Sequence, residues 1–181
     1  NGFTENEREI AIFNVLSNVS ESQLIIDRST PQNRAFNWLI FSDPAHLCPD
    51  DVFDLQQRYI LSLIYTTTNG DSWKSCNREE ADVIAPCDLE GNRTRFLSGA
   101  NVCLWYRNQC DETNTLISVT LEENNLSGTL PEEISKLTKL QNLDMDTNKL
   151  SGSIPSQLSS IPSLLTLDID DNNLTGSIPD N

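Results

Sequence analysis

The C-terminal third of the chain alternates apolar and polar positions in three short segments at equal intervals. These are residues 119–121, 143–145 and 167–169, and each places two apolar residues around one polar residue. Alternation with a period of two predicts a short strand with one buried face. Stacked one strand per repeat, the segments predict a parallel sheet whose inner face holds Val119, Leu121, Leu143, Met145, Leu167 and Ile169.

A near-identical octet follows each segment: NNLSGTLP at 124–131, NKLSGSIP at 148–155 and NNLTGSIP at 172–179. Its first Asn, its Gly and its Pro recur every 24 residues. A fixed period of about 20 to 50 residues is typical of a solenoid, in which no repeat buries its own apolar face. We expect the octet to turn the chain: its Leu enters the core, its Asn amide satisfies open backbone groups, and its Gly permits the bend.

The segments after the first two octets, 132–137 and 156–161, carry apolar residues three apart and predict a helical or 3₁₀ turn on the convex side. The complete unit, LxxLxLxxNxLxGxIP, resembles the plant-type leucine-rich repeat over residues 116–181. That resemblance implies an α/β solenoid, a right-handed coil of 24-residue repeats. Because no polar capping unit follows the third octet before Asn181, we expect a fragment of a longer solenoid.

The N-terminal 70 residues show the apolar spacing of helices instead. Thr4 and Glu7 form a capping box, which predicts a helix from about residue 5 to residue 17. Thr30 followed by Pro31 predicts a second helix, because Thr is a good N-cap and Pro is tolerated at the first helical position. The Asp-Pro pair at 43–44 ends it.

A third helix is predicted to open at Asp50-Asp51 and to close at Asn69-Gly70. We therefore divide the chain into a helical N-terminal cap (1–70), an irregular disulfide-rich cap (71–115) and three repeats (116–181). The apolar residues expected to form the helical core are Ile10, Phe13, Val15, Leu16, Ala35, Trp38, Leu39, Phe41, Phe53, Leu55, Tyr59, Ile60, Leu63 and Ile64.

Four of the five cysteines lie between residues 71 and 110. The stretch CLWYRNQC, 103–110, resembles the CxWxxxxC disulfide cap that precedes many plant-type repeats, in which the Trp covers the open end of the first coil. The resemblance implies a Cys103–Cys110 disulfide. It also leaves the loop geometry open, because Tyr-Arg-Asn stands where a small Gly is usual at the turn.

Cys76 and Cys87 are the predicted second disulfide, which leaves Cys48 either reduced and buried or bonded to a partner. Zinc binding is the competing use of five cysteines. It is disfavoured because their spacings contain no CxxC pair.

The stretches PQNRAFNWLIFSDP and LQQRYILSLIYTTTNGDSW, together with the CLWYRNQC cap and the repeats, resemble the repeat proteins of diatoms and related algae. This resemblance to a stramenopile family covers residues 4–181. It implies an extracellular or cell-surface domain and no known reaction.

Net charge and sequons bear on the compartment and the partners. A formal charge of −15 disfavours nucleic acid and anionic membranes as partners. The sequence contains no run of 18 apolar residues, so it predicts no membrane span. Paired cysteines together with four Asn-x-Ser/Thr sequons favour the secretory route, with glycosylation expected at Asn18, Asn92, Asn125 and Asn173.

We find no pattern of catalytic residues in the sequence. The single histidine, His46, lies two residues before Cys48, but no oxyanion-hole or Gly-elbow motif accompanies the pair. We therefore expect a structural role for His46 and no enzymatic activity.

One surface stands out from the rest. The residues flanking the buried alternation would face outward across the concave sheet, and seven of the twelve are acidic while none is basic: Ser118, Thr120, Glu122, Glu123, Asn142, Asp144, Asp146, Thr147, Thr166, Asp168, Asp170 and Asp171. Because like charges on neighbouring strands destabilise a sheet, we hypothesise that this face binds a cation. The alternative is a solvated acidic surface on which salt weakens the repulsion.

The expected ligand-binding residues are Thr120, Glu122, Asp144, Asp146, Asp168 and Asp170. Candidate cations are a Lys- or Arg-rich partner segment, a polyamine, or Ca²⁺ held by Glu122, Asp146 and Asp170; no other cofactor is expected. The sequence thus predicts an extracellular or cell-surface protein-interaction module. Two alternatives stay open: a structural subunit of an extracellular assembly, and an inhibitor of secreted hydrolases.

Overall fold

The structure is a computed structural model that describes residues 3–76 and 93–179. Within these residues the helices come first: α1 (Glu5–Leu16), α2 (Ser22–Ile26), α3 (Pro31–Phe41) and α4 (Val52–Thr67). The strands follow: β1 (Asn108–Cys110), β2 (Leu116–Thr120), β3 (Ser127–Gly128), β4 (Asn142–Asp144), β5 (Lys149–Ser153), β6 (Thr166–Asp168) and β7 (Asn173–Thr175). Short 3₁₀ helices lie at Gly70–Ser72, Val102–Leu104, Glu132–Lys136 and Ser156–Ser160.

The long helices begin where the sequence predicts. The Thr4 hydroxyl accepts from the Glu7 backbone N–H, and the Glu7 carboxylate accepts from the Thr4 backbone N–H at 2.8 Å. At α3, the Thr30 side chain accepts from Asn33. The short helix α2 was not predicted, because five residues without a side-chain N-cap give no periodic signal.

Helix α4 is the centre of the helical region. Every residue from Gln57 to Tyr65 is buried, so α4 is covered on all sides rather than on one stripe. Three residues expected in the core are instead exposed: Ile10 (53%), Phe41 (67%) and Phe53 (47%). Phe41 is the last residue of α3 and Phe53 lies in the first turn of α4, so these two extend past the covered part of the helices.

The strands form two parallel ladders. The first has the order β1-β2-β4-β6, with β2, β4 and β6 parallel and β1 antiparallel to β2. The second has the order β3-β5-β7. Residues paired between β2, β4 and β6 lie 24 positions apart, as in Ser118, Asn142 and Thr166, so each repeat occupies one turn of the coil.

The Asn of each octet joins neighbouring turns, as the sequence predicts. Asn148 accepts from the backbone N–H groups of Asn124 (3.0 Å) and Leu126 (2.9 Å) through Oδ1. Its Nδ2 donates to the carbonyls of Leu121 and Met145. One buried amide therefore satisfies backbone groups of two consecutive repeats.

The first repeat is covered by the end of α4 and by the residues after it. Ser127 and Thr129 donate backbone N–H bonds to the carbonyls of Thr68 and Thr67. A Cβ at Gly128 would lie 2.2 Å from the Thr67 carbonyl oxygen, and the φ of +116° at this residue also favours glycine. Asn124 Oδ1 accepts from Ser75, which stands where a preceding repeat would contribute its backbone.

The third repeat departs from the predicted core. Leu143 and Met145 are fully buried, but Leu167, which pairs with Leu143, is 38% exposed. Within the described residues, β6 and β7 are edge strands with no neighbour on their far side. The described residues therefore leave the inner face of this repeat partly uncovered.

A buried ion pair joins the helices to the loop ahead of the sheet. The Arg58 guanidinium, 2% exposed, donates to both carboxylate oxygens of Asp43 at 2.5 Å and to the carbonyls of Ser98 and Ala100. It lies 4.8 Å from the ring centroid of Trp105, within cation–π range. Trp105 is fully buried, and its ring packs against Phe96 and Trp38.

A second buried polar group joins the helices to the first repeat. Glu133, 2% exposed, accepts from the Ser20 hydroxyl (2.7 Å) and from the Gln32 amide (3.0 Å). Since the Ser20 hydroxyl donates to Glu133, the 2.9 Å contact between Ser20 and Tyr59 has the Tyr59 hydroxyl as donor. The other oxygen of Glu133 has no hydrogen-bond partner among the described residues.

Candidate interaction face

Strand alternation sets apart a group of acidic side chains, which we call the acidic face: Glu122, Asp144, Asp146, Asp168 and Asp170. Their neighbours Leu121, Leu143 and Met145 are fully buried. Glu122, Asp144 and Asp146 are half-buried, whereas Asp168 and Asp170 are exposed. In the first two repeats, these apolar residues are therefore buried as predicted, and the acidic residues between and beside them are more accessible to solvent.

The register aligns the acidic face across the repeats. Thr120 pairs with Asp144, and Asp144 pairs with Asp168. Beyond the strand ends, Glu123 donates to the Asp146 carbonyl and Thr147 to the Asp170 carbonyl, which keeps neighbouring turns in step. Adjacent strands lie about 4.8 Å apart, so the carboxylates form rows of like charge.

Three of these carboxylates come together. One oxygen each from Glu122, Asp144 and Asp146 lies within 4.8 Å of the other two. The Ca²⁺ site predicted from the sequence consists of Glu122, Asp146 and Asp170, whereas the described residues bring Asp144 into the group and leave Asp170 outside it.

The pKa values on the acidic face reflect this crowding. Partial burial, opposed by a hydrogen bond from the Asp146 backbone N–H and reinforced by the charges of Glu122, Asp146 and Asp168, raises the pKa of Asp144 above its ordinary value. The charge of Asp168, more than any burial, raises the pKa of Asp170. A cation that binds here would remove this repulsion.

A basic residue that was not predicted from the sequence reaches the acidic face. Arg107, one residue before β1, forms an ion pair with Glu122. Its φ of +52° is the left-handed conformation, which explains why a small Gly is usual at this turn. The antiparallel pairing of β1 with β2 places it there, and that pairing has no local signal in the sequence.

Two further predicted members of the face differ from expectation. Ser118 is buried at 8% exposure because it pairs with Gln109 of β1 and accepts a hydrogen bond from Asn142 (3.1 Å). Asp146 Oδ1 is inaccessible to solvent and has no hydrogen-bond partner among the described residues, while its Oδ2 accepts from Thr147.

The predicted Cys103–Cys110 disulfide is present and joins the 3₁₀ helix Val102–Leu104 to β1. The proposed Cys76–Cys87 pair lies partly outside the described residues. Cys48 is half-buried, and its thiol is 3.8 Å from the Asp50 carboxylate.

The sequons differ in their surroundings. Asn18 and Asn173 are exposed, whereas Asn125 is half-buried and its amide donates to the Ser72 carbonyl at 2.8 Å. Asn92 lies outside the described residues. His46 is exposed on a loop, with a φ of +46°. None of the described helices is long and apolar enough to cross a membrane.

Comparison with known proteins identifies the repeats. The family model described as Leucine Rich Repeat matches residues 115–137, 139–161 and 163–181. These segments coincide with the three turns of the coil, so the C-terminal part of the chain is a leucine-rich-repeat solenoid. No curated protein matches the sequence.

Among solved structures, the chain is similar to the BIR3–SERK2 complex from Arabidopsis thaliana, with 42% identity over 44% of this chain and 44% of that one (TM-score 0.41). It is also similar to the BIR2 ectodomain from Arabidopsis thaliana, with 28% identity over 62% of this chain and 52% of that one (TM-score 0.44). The PEPR1–AtPEP1 structure shares 39% identity over 42% of this chain but only 11% of its own (TM-score 0.42). At TM-scores below 0.5, these overlaps define neither a common architecture nor a common ligand.

Proposed function

We propose that this protein is an extracellular or cell-surface interaction module whose acidic face binds a cationic segment of a protein partner. The observation that carries the proposal is the row of carboxylates on the leucine-rich-repeat sheet. A solenoid presents such a row over several repeats, which suits an extended partner better than an enclosed small substrate.

The charge balance of the acidic face supports a cationic partner. Arg107 neutralises one end of the face through Glu122. Asp144, Asp146, Asp168 and Asp170 form no ion pair with a described residue. A partner that places Lys or Arg side chains along these strands would repeat the Arg107–Glu122 contact in the second and third repeats.

Binding can be tested with an extended peptide of alternating Arg and Thr, and with a Glu-Thr peptide as the charge-reversed probe. The Arg peptide is expected to bind the intact chain, and its affinity to fall as salt shortens the Debye length toward about 8 Å. Replacing Asp144 and Asp146 with Asn together should weaken binding about tenfold, or about 1.4 kcal/mol.

The matched control removes two negative charges elsewhere. Glu5→Gln with Glu112→Gln changes the net charge by the same amount at exposed positions off the acidic face. If this control lowers the affinity for the Arg peptide as much as the Asp144→Asn/Asp146→Asn variant does, net charge alone governs binding. The acidic face is then not the binding surface.

Ca²⁺ is the second candidate ligand, because Glu122, Asp144 and Asp146 offer clustered oxygens. Ca²⁺ takes about six to eight oxygen ligands, so carbonyls or waters would complete the shell. Millimolar Ca²⁺ should then raise the melting temperature of the wild type and leave that of Asp144→Asn/Asp146→Asn nearly unaffected. An equal effect on both proteins, or none on either, removes Ca²⁺ from the proposal.

The extracellular assignment rests on the Cys103–Cys110 disulfide and the exposed sequons Asn18 and Asn173. Glycopeptide and disulfide mapping of the native protein tests it, and unmodified sequons with reduced cysteines would contradict it.

The same experiment addresses one alternative, since a Cys48 crosslink to another chain would favour a subunit of an extracellular assembly. Stoichiometric inhibition of a secreted hydrolase would favour an inhibitor instead.

A further inference from the structure

A cavity of about 200 Å³ lies in the helical region and shares no residue with the acidic face. It has room for several water molecules or for one small organic group. Three segments contribute its lining: the loop ahead of α4, α4 itself and the loop that follows Ser98. Its lining includes Ala45, Leu47, Asp54, Arg58, Ala100 and Val102.

The walls of the cavity are held in place by long-range contacts. The carbonyl of Leu47 accepts from Arg8 of α1 at 3.2 Å, and the carbonyl of Ala100 accepts from Arg58 at 2.8 Å. The two loops touch, since a Cβ added at Gly99 would lie 3.2 Å from the Cβ of Pro44. The cavity is therefore formed before any ligand enters.

The charges around the cavity leave one carboxylate unbalanced. The Arg58 charge is neutralised by Asp43, and its N–H groups donate to Asp43, Ser98 and Ala100. Asp54 forms no hydrogen bond or ion pair with a described residue. Partial burial, followed by the charge of Asp51 and opposed by the charge of Arg58, raises the pKa of Asp54 above its ordinary value.

We infer that this cavity binds a primary alkylammonium group, with the ammonium on Asp54 and its methylenes against Leu47 and Val102. An ammonium has three donors and no acceptor, which complements a carboxylate that only accepts. An anion would meet Asp54, and a neutral apolar group would desolvate that carboxylate without pairing it. A divalent cation would find only one free carboxylate among the lining residues named above.

The test is isothermal titration of the whole chain with n-butylammonium chloride, with 1-butanol as the uncharged probe of similar shape. The amine is expected to bind with 1:1 stoichiometry and 1-butanol at least tenfold more weakly. Asp54→Asn should lower the amine affinity at least tenfold, whereas Asp50→Asn, which removes an exposed acid on the loop ahead of α4, should change it less than twofold. Equal amine affinity in Asp54→Asn and in the wild type would overturn the inference, as would no binding to the wild type.

A second variant removes space instead of charge. Ala45→Leu fills part of the cavity, retains Asp54, and is expected to lower the amine affinity at least tenfold with an unchanged circular dichroism spectrum. Asp144→Asn/Asp146→Asn should retain amine binding in full, which separates the cavity from the acidic face. Loss of amine binding in that variant would assign the signal to the acidic face and contradict the inference.

The alkylammonium group has two sources, a free amine and a lysine side chain of a partner. Nα-acetyl-lysine N-methylamide distinguishes them in the same titration. If it binds as tightly as n-butylammonium, the cavity accepts a lysine side chain attached to a backbone. If it binds at least tenfold more weakly while the bare amine binds, the cavity is selective for small free amines.

Discussion

The helical region and the repeats solve the same problem, satisfying buried polar groups, in opposite ways. The helical region relies on contacts that occur once, such as Arg58 with Asp43 and Glu133 with Ser20. The repeats use the same Asn contact at every turn. The difference indicates that a unique contact fixes one arrangement of helices, whereas a repeated contact lets identical units stack.

The largest effect is expected where a unique contact is broken. Arg58→Met leaves Asp43 buried and unpaired, and should lower the free energy of unfolding by about 4 kcal/mol. Urea denaturation measures the loss. The double variant Asp43→Asn/Arg58→Met, which removes the stranded charge, should recover about 2 kcal/mol. A loss below about 1 kcal/mol in the single variant would show that the pair does not anchor the helices.

The repeated contact should weaken toward the third turn. Asn148→Ala strips partners from buried backbone groups of two repeats and should cost about 3 kcal/mol of unfolding free energy. Asn172→Ala removes the bonds to Leu150, Met145 and Ile169 in a half-exposed place, where water can replace them, and should cost about 1 kcal/mol. Equal losses in the two variants would show that burial does not set the strength of this contact.

Alkaline pH should affect the helical region through Tyr59. Burial, opposed by the Ser20 hydrogen bond and reinforced by the Glu133 charge, raises the pKa of Tyr59 well above its ordinary value of 10.0. The stabilisation is therefore complete below about pH 10, the unfolded pKa, and is lost as pH rises above it. At pH 11 the loss is about 1.4 kcal/mol.

The variant Tyr59→Phe isolates this contribution. It should be less stable than the wild type at neutral pH, because the Ser20 hydroxyl loses its donor, and the gap should narrow above pH 10. Chemical denaturation at several pH values measures both proteins. A gap that stays constant from pH 8 to pH 11 would contradict the assigned role of Tyr59.

The smallest effect on the free energy of unfolding is expected for the exposed ion pair between Arg107 and Glu122. Arg107 and Glu122 are both about 40% exposed, so Arg107→Gln should change the free energy of unfolding by at most about 0.5 kcal/mol. The same substitution should strengthen Arg-peptide binding, because it frees Glu122. Weaker peptide binding in Arg107→Gln would mean that Arg107 itself contacts the partner.

Local chemistry made much of this fold predictable. The capping roles of Thr4 and Thr30 can be predicted from the few residues that follow them. The role of Asn148 can be predicted because its octet recurs every 24 residues. The buried pairs gave no such signal. Asp43 and Arg58 are 15 residues apart and Ser20 and Glu133 are 113 apart, so only the folded chain brings them together.

The candidate site divides in the same way. Alternation over residues 142–146 predicted that Asp144 and Asp146 face outward, and it predicted the burial of Leu143 and Met145. It could not show that Arg107 joins Glu122, because the antiparallel partner of β2 lies in an irregular segment. Nor could it show that Asp54 borders a cavity, because apolar residues surround it on α4.

The antiparallel strand β1 prevents the coil from gaining repeats at its N-terminal end. A parallel turn cannot be inserted ahead of β2 without displacing β1 and its disulfide. A further 24-residue unit placed between the turns of β4 and β6 would keep every Asn contact in register. Duplication or loss of repeats can therefore alter the length of the acidic face while the helical end stays unchanged.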